Sequence, residues 1–330
     1  MKAVVLTAVN EIGVAEVEKP KATAGKSVVK ILACGICGTD RHIYHGEYPG
    51  DKPVILGHEF GGVIEEVAPG SKFKVGDLVS VDPNIVCGTC VDCLALRTAF
   101  CPSLTALGVN INGGIAEYVL TPDTQIYLVR PDLNPLYLAF IEPLACSIRG
   151  LDLADLKGGE KVAVLGGGVM GLLVVQLAKL AGASEIVLVT RQKYRREVAL
   201  KIGATRTIDP INESVTDLVK GMDVTFECAG AVETFEQSQQ ITRRGGAIIV
   251  LGLTASDTKV SIKPFDIVVN EHRIQGSYLN PLTQARSAEL VGSGKLNLDI
   301  LISKVVDLDG VKAILDAPPA EGDIKYIVRP

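Results

Sequence analysis

The chain has no tryptophan, and aromatic residues make up only 5 % of its 330 positions. Its apolar mass is therefore Val, Ile, Leu and Ala, a mixture suited to parallel strands buried under helices. No apolar run approaches ~18 residues, so no membrane span is expected. Positive charge is not in excess: 33 Lys and Arg stand against 38 Asp and Glu, a net charge of −5. That balance excludes a basic nucleic-acid footprint. Cysteine is also sparse, with eight residues. Eight in a chain of this length are too few for a disulfide scaffold, so clustered cysteines read as metal ligands. The opening "MKAVVLTAV" alternates like a strand and contains no longer apolar region of the signal-peptide kind, so the expected location is the cytoplasm. No internal repeat or low-complexity tract is present.

What is there suits a two-domain α/β protein, with 47 % hydrophobic and 22 % charged residues. Residues 1–130 hold short β-like runs between Gly and Pro, namely "SVVKIL" (27–32), "GGVIEEVA" (61–68), "DLVSVD" (77–82) and "GGIAEYVLT" (113–121). They predict a β-rich, barrel-like unit. A helical stretch follows near 135–154. Beyond it, apolar strands at 161–166, 185–190, 223–230, 246–252 and 272–278 alternate with helical patterns such as 171–182 and 194–203, which predicts a doubly wound parallel sheet. The expected domains are 1–148, 149–280 and a segment 281–330 that returns to the first domain on the strand-like "IKYIVRP".

"VLGGGVMG" places Gly166, Gly168 and Gly171 as G-x-G-x-x-G, with Val169 and Met170 between the last two. It follows an apolar strand and opens a helix, the context in which this motif binds a dinucleotide pyrophosphate. An NAD-type ribose acid is expected about 20 residues on. That place holds Thr190 and Arg191, with Lys193, Arg195 and Arg196 nearby and no carboxylate. An arginine pairs with a 2′-phosphate where an acid would repel it, so the expected cofactor is NADP(H) in preference to NAD(H). The alternative is a solvated helix start.

"CGTCVDCLALRTAFC" places Cys87, Cys90, Cys93 and Cys101 in one loop, a pattern suited to a closed tetrahedral structural zinc. Iron–sulfur and redox readings are weaker alternatives. A second group is scattered: Cys37, His58 with Glu59, and Glu142. One thiolate, one imidazole and carboxylates make a mixed site that can keep a position open for substrate. As isolated residues each is as well explained structurally, Glu142 as a helix N-terminal charge. "ACGICGTDRH" (33–42) adds its own ambiguity: Cys34 and Cys37 read as a redox pair, as half a zinc cage, or as one ligand beside a bystander.

"GHEFGGVIEEVAPG", the four-cysteine loop, "GGIAEYV", "EPLA" and the Gly-rich strand–helix together resemble the zinc-dependent medium-chain dehydrogenase/reductase family. The resemblance spans essentially the whole chain, and within the family the sequence is similar to the polyol (sorbitol-type) and threonine dehydrogenase branches. It implies a GroES-like β-rich catalytic domain and a Rossmann domain, and a homodimer or homotetramer. It implies Cys37 and His58 as catalytic zinc ligands, Glu59 as the carboxylate that binds zinc in the polyol branch, and Glu142 beside the metal directly or through water. Asp40 would orient the histidine. Thr39 and His42 would relay the proton, and Cys34 would be a buried structural thiol. Tyr44 is a pocket wall or simple packing. Leu279 stands where animal sorbitol dehydrogenases carry a substrate-pocket arginine. The implied activity is reversible oxidation of a secondary alcohol of a polyol or sugar alcohol to the ketone. L-Threonine or another secondary alcohol is the alternative substrate. A zinc-free reductase of the same fold and a non-enzymatic nucleotide-binding protein are disfavoured by the ligand set and the relay.

Overall fold

The computed structural model describes residues 1–330. The chain forms two compact units: Met1–Ala145 with Pro281–Pro330, and Cys146–Asn280.

The first unit opens with the hairpin β1 (Lys2–Ala8) and β2 (Glu11–Glu16). It continues through β3 (Lys26–Ile36), α1 (Gly38–Tyr44), β4 (Val54–Ile55), β5 (Glu59–Glu66), β6 (Leu78–Val81), β7 (Asn84–Ile85), α2 (Val91–Leu94), β8 (Thr105–Ala106), β9 (Tyr118–Pro122) and β10 (Ile126–Leu128). A 3-10 turn over Pro135–Phe140 leads into α3 (Ile141–Ala154). Strand β3 is buried along most of both faces, which explains its nearly unbroken apolar sequence "KSVVKILACGI". It is central to a sheet ordered β10-β6-β5-β3-β18-β17, with β9 also paired to β3. The last two strands of that sheet come from the end of the chain, β17 (Ile302–Val306) and β18 (Lys325–Val328). The helices α9 (Gln284–Gly292) and α10 (Val311–Asp316) belong to the same tail. Leu6, Val29, Ile31, Phe60, Ile64, Val79, Ile115 and Val328 share one apolar core.

The run 113–121 is strand only from Tyr118. Gly113, Gly114 and Ile115 instead donate their N–H groups to the carbonyls of Ile55, Gly57 and Leu56 at 2.8–3.0 Å. A Cβ at position 113 would sit 2.5 Å from Gly108 Cα, so the paired glycines admit a backbone packing that a strand would not. The segment thereby braces residues 55–57, which lead directly into His58.

The second unit is a six-stranded parallel sheet ordered β13-β12-β11-β14-β15-β16. Its elements are β11 (Lys161–Leu165), α4 (Val169–Leu180), β12 (Glu185–Val189), α5 (Lys193–Ile202), β13 (Arg206–Ile208), α6 (Val215–Leu218), β14 (Met222–Glu227), α7 (Val232–Ile241), β15 (Thr242–Val250), α8 (Pro264–Asn270) and β16 (Arg273–Gly276). This is the Rossmann order, and its direction reverses between β11 and β14. Ligands of such sheets bind beyond the carboxyl ends of the strands at that reversal, and the Gly-rich turn after β11 lies there. No helix is long and apolar enough to cross a membrane.

Candidate metal centres and cofactor site

The four-cysteine loop folds on itself. One sulfur from each of Cys87, Cys90, Cys93 and Cys101 lies within 4.8 Å of the others. None is in a disulfide. Sulfur pairs Cys87–Cys101 and Cys87–Cys93 are 3.6 and 3.9 Å apart. The backbone N–H groups of Cys90, Cys93 and Cys87 point at the sulfurs of Cys87, Cys90 and Cys101, at 3.3, 3.5 and 3.4 Å. Backbone donors from Thr89 and Cys90 pull the Cys87 thiol down to about 6, while burial and the neighbouring sulfurs push Cys93 up to about 12. Four sulfurs this close cannot all ionise without a cation among them. Four thiolates with converging N–H support fit a closed zinc site.

The second cluster is built from three separate elements. Cys37 caps the start of α1, His58 lies between β4 and β5, and Glu59 opens β5. One ligand atom from each of the three lies within 4.8 Å of the others. Asp40 ties Cys37 to the approach to His58 and is fully buried. Its Oδ2 accepts from Cys37 N at 2.8 Å, an acid in the first turn reaching back to the cap. Its Oδ1 accepts from Gly57 N at 3.3 Å and lies 3.4 Å from His58 Nδ1, at ion-pair distance without a directed hydrogen bond. Burial opposes a charge on His58, but Asp40 and Cys37 outweigh it and hold the ring well above the usual histidine range. The same anions would favour a metal ion in place of that proton. A sulfur, a nitrogen and a carboxylate oxygen are a donor set that suits zinc, with a coordination position to spare.

Glu142 is buried in the first turn of α3 but is not part of the three-donor cluster. Thr39 Oγ1 lies 3.7 Å from Cys37 Sγ. His42, one turn further along α1, is exposed, with its Nδ1 2.6 Å from Glu47 Oε2. Cys34 belongs to the apolar core, and burial raises its thiol well above the usual range. It is thus inert packing, separate from the donor cluster. Tyr44 is buried too. Its hydroxyl donates to Asn10 O at 3.1 Å and contacts Asp316 Oδ1, so of the two readings for this ring, packing holds.

One charged partner was not read from the sequence. Lys325, on β18, is buried and its Nζ is paired with Glu59 Oε2. The local signal was a lone cation at the head of the apolar strand "KYIV".

In the second unit, Gly166 turns the chain with φ of 113°, and a Cβ there would meet Ala229 N at 2.7 Å. Gly168 is the N-cap of α4 and has open space where a side chain would be. Gly171 packs against the Gly166 carbonyl, which lets α4 close on the turn. Val169 and Met170 complete the first turn and are half-buried. Free N–H groups at that helix start, beside a cradle without Cβ atoms, fit a pyrophosphate. Thr190 directly follows β12 and is buried, and a Cβ on Gly167 would touch it at 2.8 Å. Arg196 does not face a ligand. It donates to the carbonyls of Thr190 and Arg191 at 2.7 and 2.8 Å and pairs with Asp209 at 2.9 Å. Lys193 lies 3.9 Å from Glu197. Arg195 is half-buried, and Arg191 is exposed. No carboxylate occupies the end of β12.

A Rossmann sheet with a Gly-rich cradle in one unit, and a four-sulfur cluster and a mixed donor cluster in the other, define an NAD(P)-dependent oxidoreductase of the zinc type. Residues 23–131 match the alcohol dehydrogenase GroES-like domain, and residues 169–291 the zinc-binding dehydrogenase domain. The chain is 34 % identical over 301 residues to L-threonine 3-dehydrogenase of Thermococcus kodakarensis, spanning 87 % of this chain and 85 % of that one. It is 31 % identical over 321 residues to sorbitol dehydrogenase of Bacillus subtilis, spanning 94 % and 91 %. A solved zinc-binding dehydrogenase from Sinorhizobium meliloti 1021, bound to NADP, superposes with a TM-score of 0.98 at 43 % identity, covering 100 % of this chain and 99 % of that one. The chain belongs to the zinc-dependent alcohol dehydrogenase family and is an NAD(P)-dependent dehydrogenase acting on alcohols. The expected family and its GroES-like plus Rossmann fold are thereby borne out.

Proposed function

We propose that this enzyme reversibly oxidises a secondary alcohol of a polyol or sugar alcohol to the ketone, with NADP+ preferred over NAD+. The observation that carries the reading is the Cys37–His58–Glu59 cluster steadied by Asp40, a polar and anionic setting suited to a hydroxylated substrate. When bound at these sites, zinc would act as a Lewis acid toward the substrate hydroxyl, and NADP+ would accept the hydride from the carbinol carbon. Cys37, His58 and Glu59 hold the metal in this reading, and Glu142 would bind it directly or through water. Asp40 keeps the His58 ring in one orientation. Thr39 takes the hydroxyl proton, which leaves toward solvent at His42, whose Nδ1 faces Glu47. The C–H electron pair departs as hydride and the O–H proton departs through Thr39, which leaves the carbonyl.

Cys87, Cys90, Cys93 and Cys101 hold a second, structural zinc. Gly166, Gly168 and Gly171, with Val169 and Met170, receive the pyrophosphate. Thr190, Arg191 and Arg195 receive the 2′-phosphate; Arg191 is exposed and the S. meliloti relative is bound to NADP. The L-threonine hydroxyl is the second substrate reading, favoured by the T. kodakarensis relative.

A panel of polyols, sugar alcohols, L-threonine and simple secondary alcohols, assayed with each nucleotide and with zinc per chain determined, tests the proposal. Polyol turnover with NADP+ and about two zinc ions per chain, falling to about one in Cys37→Ser, is the expected result. A tenfold preference for NAD+ would overturn the cofactor assignment. Turnover confined to L-threonine would overturn the substrate class.

A further inference from the structure

The buried pair of Lys325 and Glu59 sits inside the open metal centre and serves no step described above. Three strands bring it about. Gly35 on β3 is paired with Glu59 on β5 on one side and with Ile327 on β18 on the other. Glu59 and Lys325 thus flank β3 from opposite edges. Gly35 has no side chain, and their charged ends meet over the gap. A Cβ at position 35 would collide with Glu59 Oε2 and sit 2.6 and 2.8 Å from Lys325 Cε and Nζ. Both side chains are 1 % exposed, and Nζ also reaches Ile36 O at 3.5 Å.

Lys325 therefore draws on Glu59, one of the three groups that would hold a divalent metal. A zinc ion and the ammonium together balance the charges of the Cys37 thiolate, Glu59 and Asp40. Without the ammonium the loaded centre would carry an extra negative charge, and the empty one would leave Glu59 buried and unpaired.

We propose that Lys325 is a resident counter-ion that competes with the metal for Glu59, lowering the zinc affinity of the Cys37–His58–Glu59 centre while stabilising the fold when the metal leaves. Glu59 is then a ligand shared between an internal cation and the metal, and the centre exchanges metal more readily than its donor set alone implies. This rests on the reading of that cluster as a metal centre.

The test is competition of the purified protein with a chromophoric chelator, following the zinc equivalent that Cys37→Ser removes. The Lys325→Met variant should bind that zinc at least tenfold more tightly, and its chelator-stripped form should melt several degrees lower. Lys325→Arg should stay within threefold of wild type on affinity. Equal or weaker binding by Lys325→Met overturns the proposal. If Lys325→Met does not fold, Glu59→Gln is compared with the double variant Lys325→Met/Glu59→Gln, which has no unpaired buried charge. Competition through Glu59 predicts equal affinities there, and a tenfold difference refutes it. Absence of any Cys37-dependent zinc in wild type would instead overturn the metal-centre reading itself.

Discussion

At the residue scale, single buried charges decide what the open centre can hold. Asp40 is the clearest case, because one carboxylate receives two backbone N–H groups and faces His58. Its replacement by asparagine keeps the shape and removes the charge. Such a partner of a metal-ligating histidine is worth roughly 10–100-fold in metal affinity. Asp40→Asn should therefore lose its Cys37-dependent zinc at a chelator concentration that leaves wild type loaded, while zinc in the four-cysteine loop stays. Cys34 and Cys37 make the complementary point. They are three residues apart and chemically identical, yet one lies in the apolar core and the other caps a helix. Spacing could not separate them, because strand β3 ends between them.

At the element scale, the informative pieces are short turns. The β12–α5 turn carries Thr190 and Arg191, and the start of α5 carries Arg195 and Arg196, cations that look alike in sequence. Arg196 is spent on two carbonyls and on Asp209, where it shapes the turn. Arg191 is exposed. Loss of a charge-assisted pair to phosphate costs about 1.5–3 kcal/mol. Arg191→Ala should accordingly raise KM for NADP+ by roughly 10–100-fold and leave KM for NAD+ nearly unchanged in steady-state kinetics. In the four-cysteine loop, three N–H groups already point at sulfur, so the turn is preformed for a cation. Cys87→Ser should lower zinc by about one ion per chain and open residues 87–101 to limited proteolysis, with peptide mapping locating the cuts. This loop and the Gly-rich turn were legible because each keeps its chemistry within about one turn of chain.

At the scale of the whole molecule, the proposed function assigns different ligands to the two units. NADP+ at a hundred times its Kd would stabilise the fold that binds it by about 2.7 kcal/mol. Hydrogen exchange should show that protection at residues 166–171 and 190–196. Zinc loading of the stripped protein should instead protect 34–59 and 87–101. Protection by NADP+ spread evenly over both units would contradict this division. The open centre was the less legible of the two sites for the same reason of scale. Its donors come from the end of β3, from the approach to β5 and from β5 itself, and its internal cation comes from β18, 266 residues beyond Glu59.

The sequence by itself determined the family, the alternation of strands and helices in 161–276, the Gly-rich turn that opens α4 and the clustering of the four cysteines. Each depends on residues near one another along the chain, where backbone geometry and spacing leave few choices. Only the tertiary structure decided which cysteine of "ACGICG" joins the donor cluster, which arginine after β12 is committed to the fold, that Gly113–Ile115 brace the approach to His58 rather than forming strand, and that Lys325 pairs with Glu59. The Lys325–Glu59 pairing depends on sheet register across β5, β3 and β18, and the others on what each group meets in the folded unit. Pairing between strands distant in sequence is set by the packing of the whole unit.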